Sequence, residues 1–188
     1  MTAARRWILI VLVLALASST AGCGREEHLL HAKTEGLYLN IGPMLYQVQI
    51  SRQLNPHDSE DRAYLIGLPP RDAELAPDET FFAVFMRVQN PSNASHPAAS
   101  DYEITDTVDT RVKPLPLPRS NVFAYQARKV APQGLLPSAE SAAANGVVGQ
   151  GAALVFKLKI STLANRPLEL HIRNPEQVSE QGIVELDV

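Results

Sequence analysis

The chain has 188 residues and a single cysteine, Cys23, so it cannot close an internal disulfide or build a zinc site from several thiolates. It has no apolar run of about 20 residues, the length a membrane-spanning helix needs; the longest such run, Trp7 to Ala17, stops well short. It has no excess of basic charge, with 17 Lys and Arg against 20 Asp and Glu, which argues against nucleic acid or an anionic surface held by bulk charge. Long stretches of helical periodicity are missing, which argues against βαβ units. Also missing are a Gly-x-Ser-x-Gly elbow, a phosphate loop, a zinc-helix motif and a dinucleotide fingerprint. The sequence therefore offers no catalytic constellation and calls for no cofactor.

The first 23 residues carry the clearest signal. Arg5 and Arg6 precede the apolar run, and small residues from Ser18 to Gly22 follow it, the three parts of a secretory leader. Thr20-Ala21-Gly22-Cys23 resembles the lipobox of bacterial lipoproteins. The resemblance implies cleavage between Gly22 and Cys23 and a diacylglyceryl group on the Cys23 thiol. The partner it implies is the outer face of the cytoplasmic membrane, reached through that anchor. Arg5-Arg6 leaves general and twin-arginine export both open. Removing residues 1–22 takes away Arg5 and Arg6 and leaves 15 basic against 20 acidic residues, a balance of −5.

The expected organisation is a leader over 1–22, a lipidated tether over 23–36 and one β-sandwich domain over 37–188. Fourteen prolines and ten glycines suit short strands and many turns. Period-two alternation predicts strands over Leu37–Ile41, Leu45–Leu54, Ala63–Leu68, Thr80–Asn90, Tyr102–Thr105, Asn121–Gln126, Ala152–Ile160, Leu168–Arg173 and Val184–Val188. In the second of these, Tyr46, Val48, Ile50 and Leu54 point one way, and Arg52 falls on their side. Thr80–Asn90 is apolar on both faces for half its length, as in a central strand covered on both sides. Lys113–Pro118 carries three prolines and is expected to run extended along an edge. These features predict an all-β fold, an antiparallel immunoglobulin-like sandwich of about seven to nine strands, with a small closed barrel as the alternative.

Tyr46-Gln47-Val48, Phe82 through Pro91 and Gly151 through Leu158 resemble the immunoglobulin-like, telokin-like domain of small actinobacterial-type lipoproteins. That resemblance brings no catalytic residues. It implies a non-enzymatic interaction or accessory protein with a protein partner at the cell envelope; a small-ligand-binding lipoprotein and a hydrolase with a non-sequential site are the alternatives.

Other candidates are weaker. His28 and His31, three apart, lack a third metal ligand, and Asp58, Glu60 and Asp61 match no calcium loop. Asp101, Asp106 and Asp109 flank a short strand in turn contexts, and His171 stands between Glu169 and Arg173 on a polar face. Recognition on a rigid sandwich usually sits on loops. The two longest, Asn90–Ser100 and Ala131–Gln150, are expected to contact a partner through residues such as Asn90, Asn93, His96 and Asn145. With the tether leaving the domain at Leu37, both loops are expected to point away from the membrane.

Overall fold

A computed structural model describes residues 29–146 and 150–188. The expected leader and the expected cleavage and lipidation site at Gly22 and Cys23 lie outside the described residues. Among the described residues there are twelve strands: β1 (His31–Ala32), β2 (Tyr38–Ile41), β3 (Met44–Leu54), β4 (Glu79–Gln89), β5 (His96–Pro97), β6 (Tyr102–Thr105), β7 (Arg111–Val112), β8 (Lys129–Val130), β9 (Leu135–Leu136), β10 (Ala152–Lys159), β11 (Leu168–Arg173) and β12 (Gln181–Leu186). Seven have four residues or more, and the other five are two-residue pieces. One sheet runs β1-β12-β11-β6-β7 and the other β10-β4-β3-β2, with β9 on the end of β4 and β5 paired to β8 as a separate ladder. The pairings are antiparallel except β1 beside β12. The fold is thus an all-β antiparallel sandwich.

The main core lies between the sheets. Phe82, Val84, Met86 and Val88 of β4 and Ala152, Leu154, Phe156 and Leu158 of β10 face Ile104, Leu170, Ile172 and Val184. The opposite face of β4, with Phe81, Ala83 and Phe85, meets Ala153, Val155, Leu54 and Tyr64 in a second cluster outside the sandwich. This accounts for the two-sided apolar reading of β4. Gly182 of β12 packs tightly against β2 of the other sheet, since a Cβ there would stand 2.5 Å from the Ile41 Cδ1.

Both open sides of the sandwich are crossed by the chain. On one side β1 lies along β12, and the Leu29 carbonyl accepts the Asn40 amide of β2 at 2.9 Å. On the other, the chain leaves β7 and the Leu115 amide donates to the Val155 carbonyl of β10 at 2.6 Å. The proline-rich segment therefore runs along the β10 edge, where its prolines need no ladder partner.

Several expectations are corrected. A register shift between Val48 and Ile50 is a β-bulge that reverses the phase of β3. Met44, Tyr46 and Val48 face the main core, but beyond the bulge Ser51 turns inward, Arg52 and Leu54 join the outer cluster and Ile50 is exposed. The strand expected over Ala63–Leu68 is instead the end of a helix, α1 (Ser59–Leu65), and its following turn. The Asp58 carboxylate caps α1 by accepting the Glu60 and Asp61 amides at 2.8 and 3.1 Å. Asn121–Gln126 makes turns and one bridge at Ala124 rather than a strand, because the Asn121 side chain folds back to the carbonyls of Ala63, Tyr64 and Ile66. The folded domain begins before the expected Leu37, since His31 and Ala32 are sheet residues and Ala32 is buried.

Candidate interaction surface

Residues from several loops gather at the end of the sandwich where the chain joins it. Leu45 pairs with Gln89, Ile41 with Met44 and Arg173 with Gln181, so the turn Gly42-Pro43, the start of the Asn90 loop and the 174–180 loop share this end with Leu29. Asparagines hold it together. Asn90 is fully buried; its amide group donates to the carbonyls of Ala94, Val130 and Ala131 at 2.7, 2.9 and 3.1 Å, and its carbonyl accepts from the Ser92 amide and hydroxyl. Asn174 accepts the Glu176 amide at 2.9 Å and donates to the Glu180 carboxylate. The same carboxylate accepts the Gly42 amide at 2.8 Å. Gly42 has φ +55°, and a Cβ there would press on the Asn174 side chain at 2.7 Å. His96 Nδ1 lies 3.0 Å from Glu176 and joins the two loops.

Three of the four residues expected to contact a partner thus lie at one end, but not all are available. Asn93 is exposed and His96 half-buried. Asn90 is an internal strut with all its polar atoms engaged, so it is no contact residue. The Asn90–Ser100 segment is likewise no free surface loop, because β5 pairs with β8 and Ala98 and Ala99 are buried. Asn145 lies apart. It donates to the carbonyls of Ala139 and Ser141 at 2.8 and 3.0 Å and borders an apolar hollow of about 300 Å³ with Tyr64 and Phe123.

The titratable candidates are engaged in structural contacts. Thr105 Oγ1 and Glu169 Oε2 both approach His171, at 2.9 and 3.2 Å, but at the same nitrogen, Nε2. A relay needs the hydroxyl on one ring nitrogen and the carboxylate on the other, so this trio has no triad geometry. Asp106 closes a turn by accepting the Val108 and Thr110 amides, Asp109 meets Arg111, and Asp101 meets Lys113 and Arg173. These three acids do not converge. His31 faces Glu185 at 3.5 Å, and His28 lies outside the described residues. Among the described residues no group of three or more His, Cys, Asp or Glu side chains is placed to hold a metal.

One small cavity, about 210 Å³, opens between β10 and the proline-rich segment, lined by Tyr102, Tyr125, Leu115 and Leu117 among others. The Tyr102 and Tyr125 rings meet edge to face at 5.2 Å. Tyr125 donates to the Ala99 carbonyl at 2.9 Å, and Tyr46 accepts the Ala99 amide at 2.8 Å. Among the described residues the buried Tyr102 hydroxyl has no hydrogen-bond partner. Burial pushes the Tyr46 phenol up to about 12 and those of Tyr102 and Tyr125 upward as well, so all three stay neutral near pH 7.

No protein-family model matches the chain, and no curated protein sequence matches it. Among solved structures, the yjhA protein from Bacillus subtilis is similar at a TM-score of 0.47 and 9% identity, over 82% of this chain and 99% of that one. A conserved hypothetical protein from Bacillus anthracis is similar at a TM-score of 0.42 and 9% identity, over 79% of this chain and 94% of that one. These likenesses carry no functional argument. The inward-facing alternation in the sequence points to the sandwich, but the loop cluster has no such signal, because its members lie up to 151 residues apart, from Leu29 to Glu180.

Proposed function

We propose that this protein is a lipid-anchored accessory domain on the outer face of the cytoplasmic membrane, non-enzymatic, acting by contact with a protein partner at the cell envelope. The observation that carries the reading is Cys23 directly after Thr20-Ala21-Gly22, behind a charged and apolar leader and a few residues ahead of a folded sandwich. A diacylglyceryl group places two chains in the bilayer, which is enough for stable anchoring. The engagement of His171, Asp101, Asp106 and Asp109 in structural contacts favours binding over catalysis.

We also read the sandwich as immunoglobulin-like. In a constant-type domain strands A, B, E and D form one sheet and C, F and G the other. The order β3-β4-β10 follows A-B-E, and β6-β11-β12 follows C-F-G. The D position beside β10 is taken by the segment holding Leu115, Phe123 and Tyr125, whose backbones bond to Ala153 and Val155.

A second reading, small-ligand binding, is favoured by the cavity at Tyr102 and Tyr125. Fractionation of cells carrying Cys23→Ala tests the anchor. Uncleaved precursor or protein shed to the medium supports it. Membrane-bound protein of normal mobility contradicts it.

A further inference from the structure

Resting on the lipid anchor at Cys23, we propose that the sandwich stands with its loop end on the bilayer: the 174–180 loop, the Asn90 loop and the 130–135 loop face the lipid headgroups rather than the cell wall. The sequence pattern, with the first strand beginning at Leu37, predicts the reverse orientation. The chain instead joins at Leu29, whose carbonyl holds Asn40, and Leu30 accepts the Ile183 amide at 2.8 Å. Only six residue steps separate Cys23 from Leu29, a reach of at most about 20 Å. The eleven-residue strands β3 and β4 make the sandwich about 35 Å long. A domain standing the other way up would hold Leu29 about 35 Å above the membrane, beyond that reach.

The side chains at this end suit a headgroup layer. Val178 is 72% exposed, Leu135 37% and Leu30 36%; the exposed Glu176 of the same loop as Val178 is paired with His96, and Lys129 of β8 is exposed. Exposed apolar tips of this kind suit the boundary between headgroups and acyl chains. The opposite end, where Thr105 pairs with Arg111 and Leu168 with Leu186, carries the exposed Val108 between Asp106 and Asp109. That end points outward and is the surface left for a protein partner.

Trp7 is the only tryptophan and leaves with the leader, so one introduced tryptophan reports its own position. Full-length Val178→Trp, Asn93→Trp and Val108→Trp proteins would be expressed with their leader and extracted from membranes. Each would be reconstituted in phosphatidylcholine–phosphatidylglycerol vesicles with a nitroxide on the lipid headgroup, after mass spectrometry of Cys23. With Cys23 lipidated, quenching several-fold stronger at Val178→Trp and Asn93→Trp than at Val108→Trp supports the orientation. Equal or reversed quenching on a lipidated protein overturns it while the anchor stands. An unmodified Cys23 overturns the anchor, and the orientation with it.

Discussion

Arg52 reaches across the outer face of the second sheet and binds Asp61 of α1, while Asp61 also accepts the Asn55 amide at 2.7 Å. Its guanidinium lies 5.9 and 5.8 Å from the ring centres of Tyr64 and Phe85. The pair pins α1 over the apolar outer cluster. Removing one partner of a buried pair costs about 3–5 kcal/mol, and solvent reaching Arg52, 23% exposed, lowers this to about 2 kcal/mol for Asp61→Ala. Burial opposes ionisation of Asp61, but the hydrogen bonds from Arg52 and Asn55 and the Arg52 charge hold its carboxyl below the ordinary 3.8. A depressed folded value means stability present above that pH and lost as pH falls through the folded value. Glu35 has the opposite sign: burial raises its carboxyl, so its contribution is lost as pH rises through the folded value. Urea unfolding from pH 2 to 7 is expected to show an acid limb that Asp61→Ala flattens.

Asn90 faces three carbonyls with its amide group. Asn90→Ala is expected to lose about 2–3 kcal/mol by leaving those acceptors unpaired, and Asn90→Asp more, because it sets a buried carboxylate against them. Chemical denaturation checks the order. An Asp variant as stable as Ala would contradict the strut.

The strand β11 was legible because it alternates around Leu170 without interruption, and β4 and β10 because their continuous apolar runs around Phe82 and Phe156 mark strands covered on both faces. The second half of β3 was not, since a bulge reverses the side-chain phase without changing residue type. Ala63–Leu68 read as a strand, but the Asp58 cap acts from five residues earlier and sets a helix. In the candidate surface, Asn90-Pro91 signals a turn and says nothing of burial. The end to which the loops belong depends on β1 pairing with β12, more than 150 residues away, which no local pattern encodes.

Gly182 sits against Ile41 and Leu39, where a Cβ has no room. Gly182→Ala is expected to cost about 1–3 kcal/mol by forcing the sheets apart, and Ile41→Val in the same chain should return part of it. Thermal melts of the single and double variants test this, and simple additivity would contradict direct contact.

The Tyr102 hydroxyl is buried without a partner among the described residues, whereas Tyr125 donates to Ala99. Tyr102→Phe is expected to leave stability unchanged or slightly higher, and Tyr125→Phe to cost about 1 kcal/mol. Equal losses, measured by urea unfolding, would show that Tyr102 has a hydrogen-bond partner after all.

The most direct test of the account is the intact mass of the protein extracted from membranes. The mass expected is that of a chain beginning at Cys23 with a diacylglyceryl group on its thiol. A chain that keeps residues before Cys23, or one that carries a free thiol there, would contradict it.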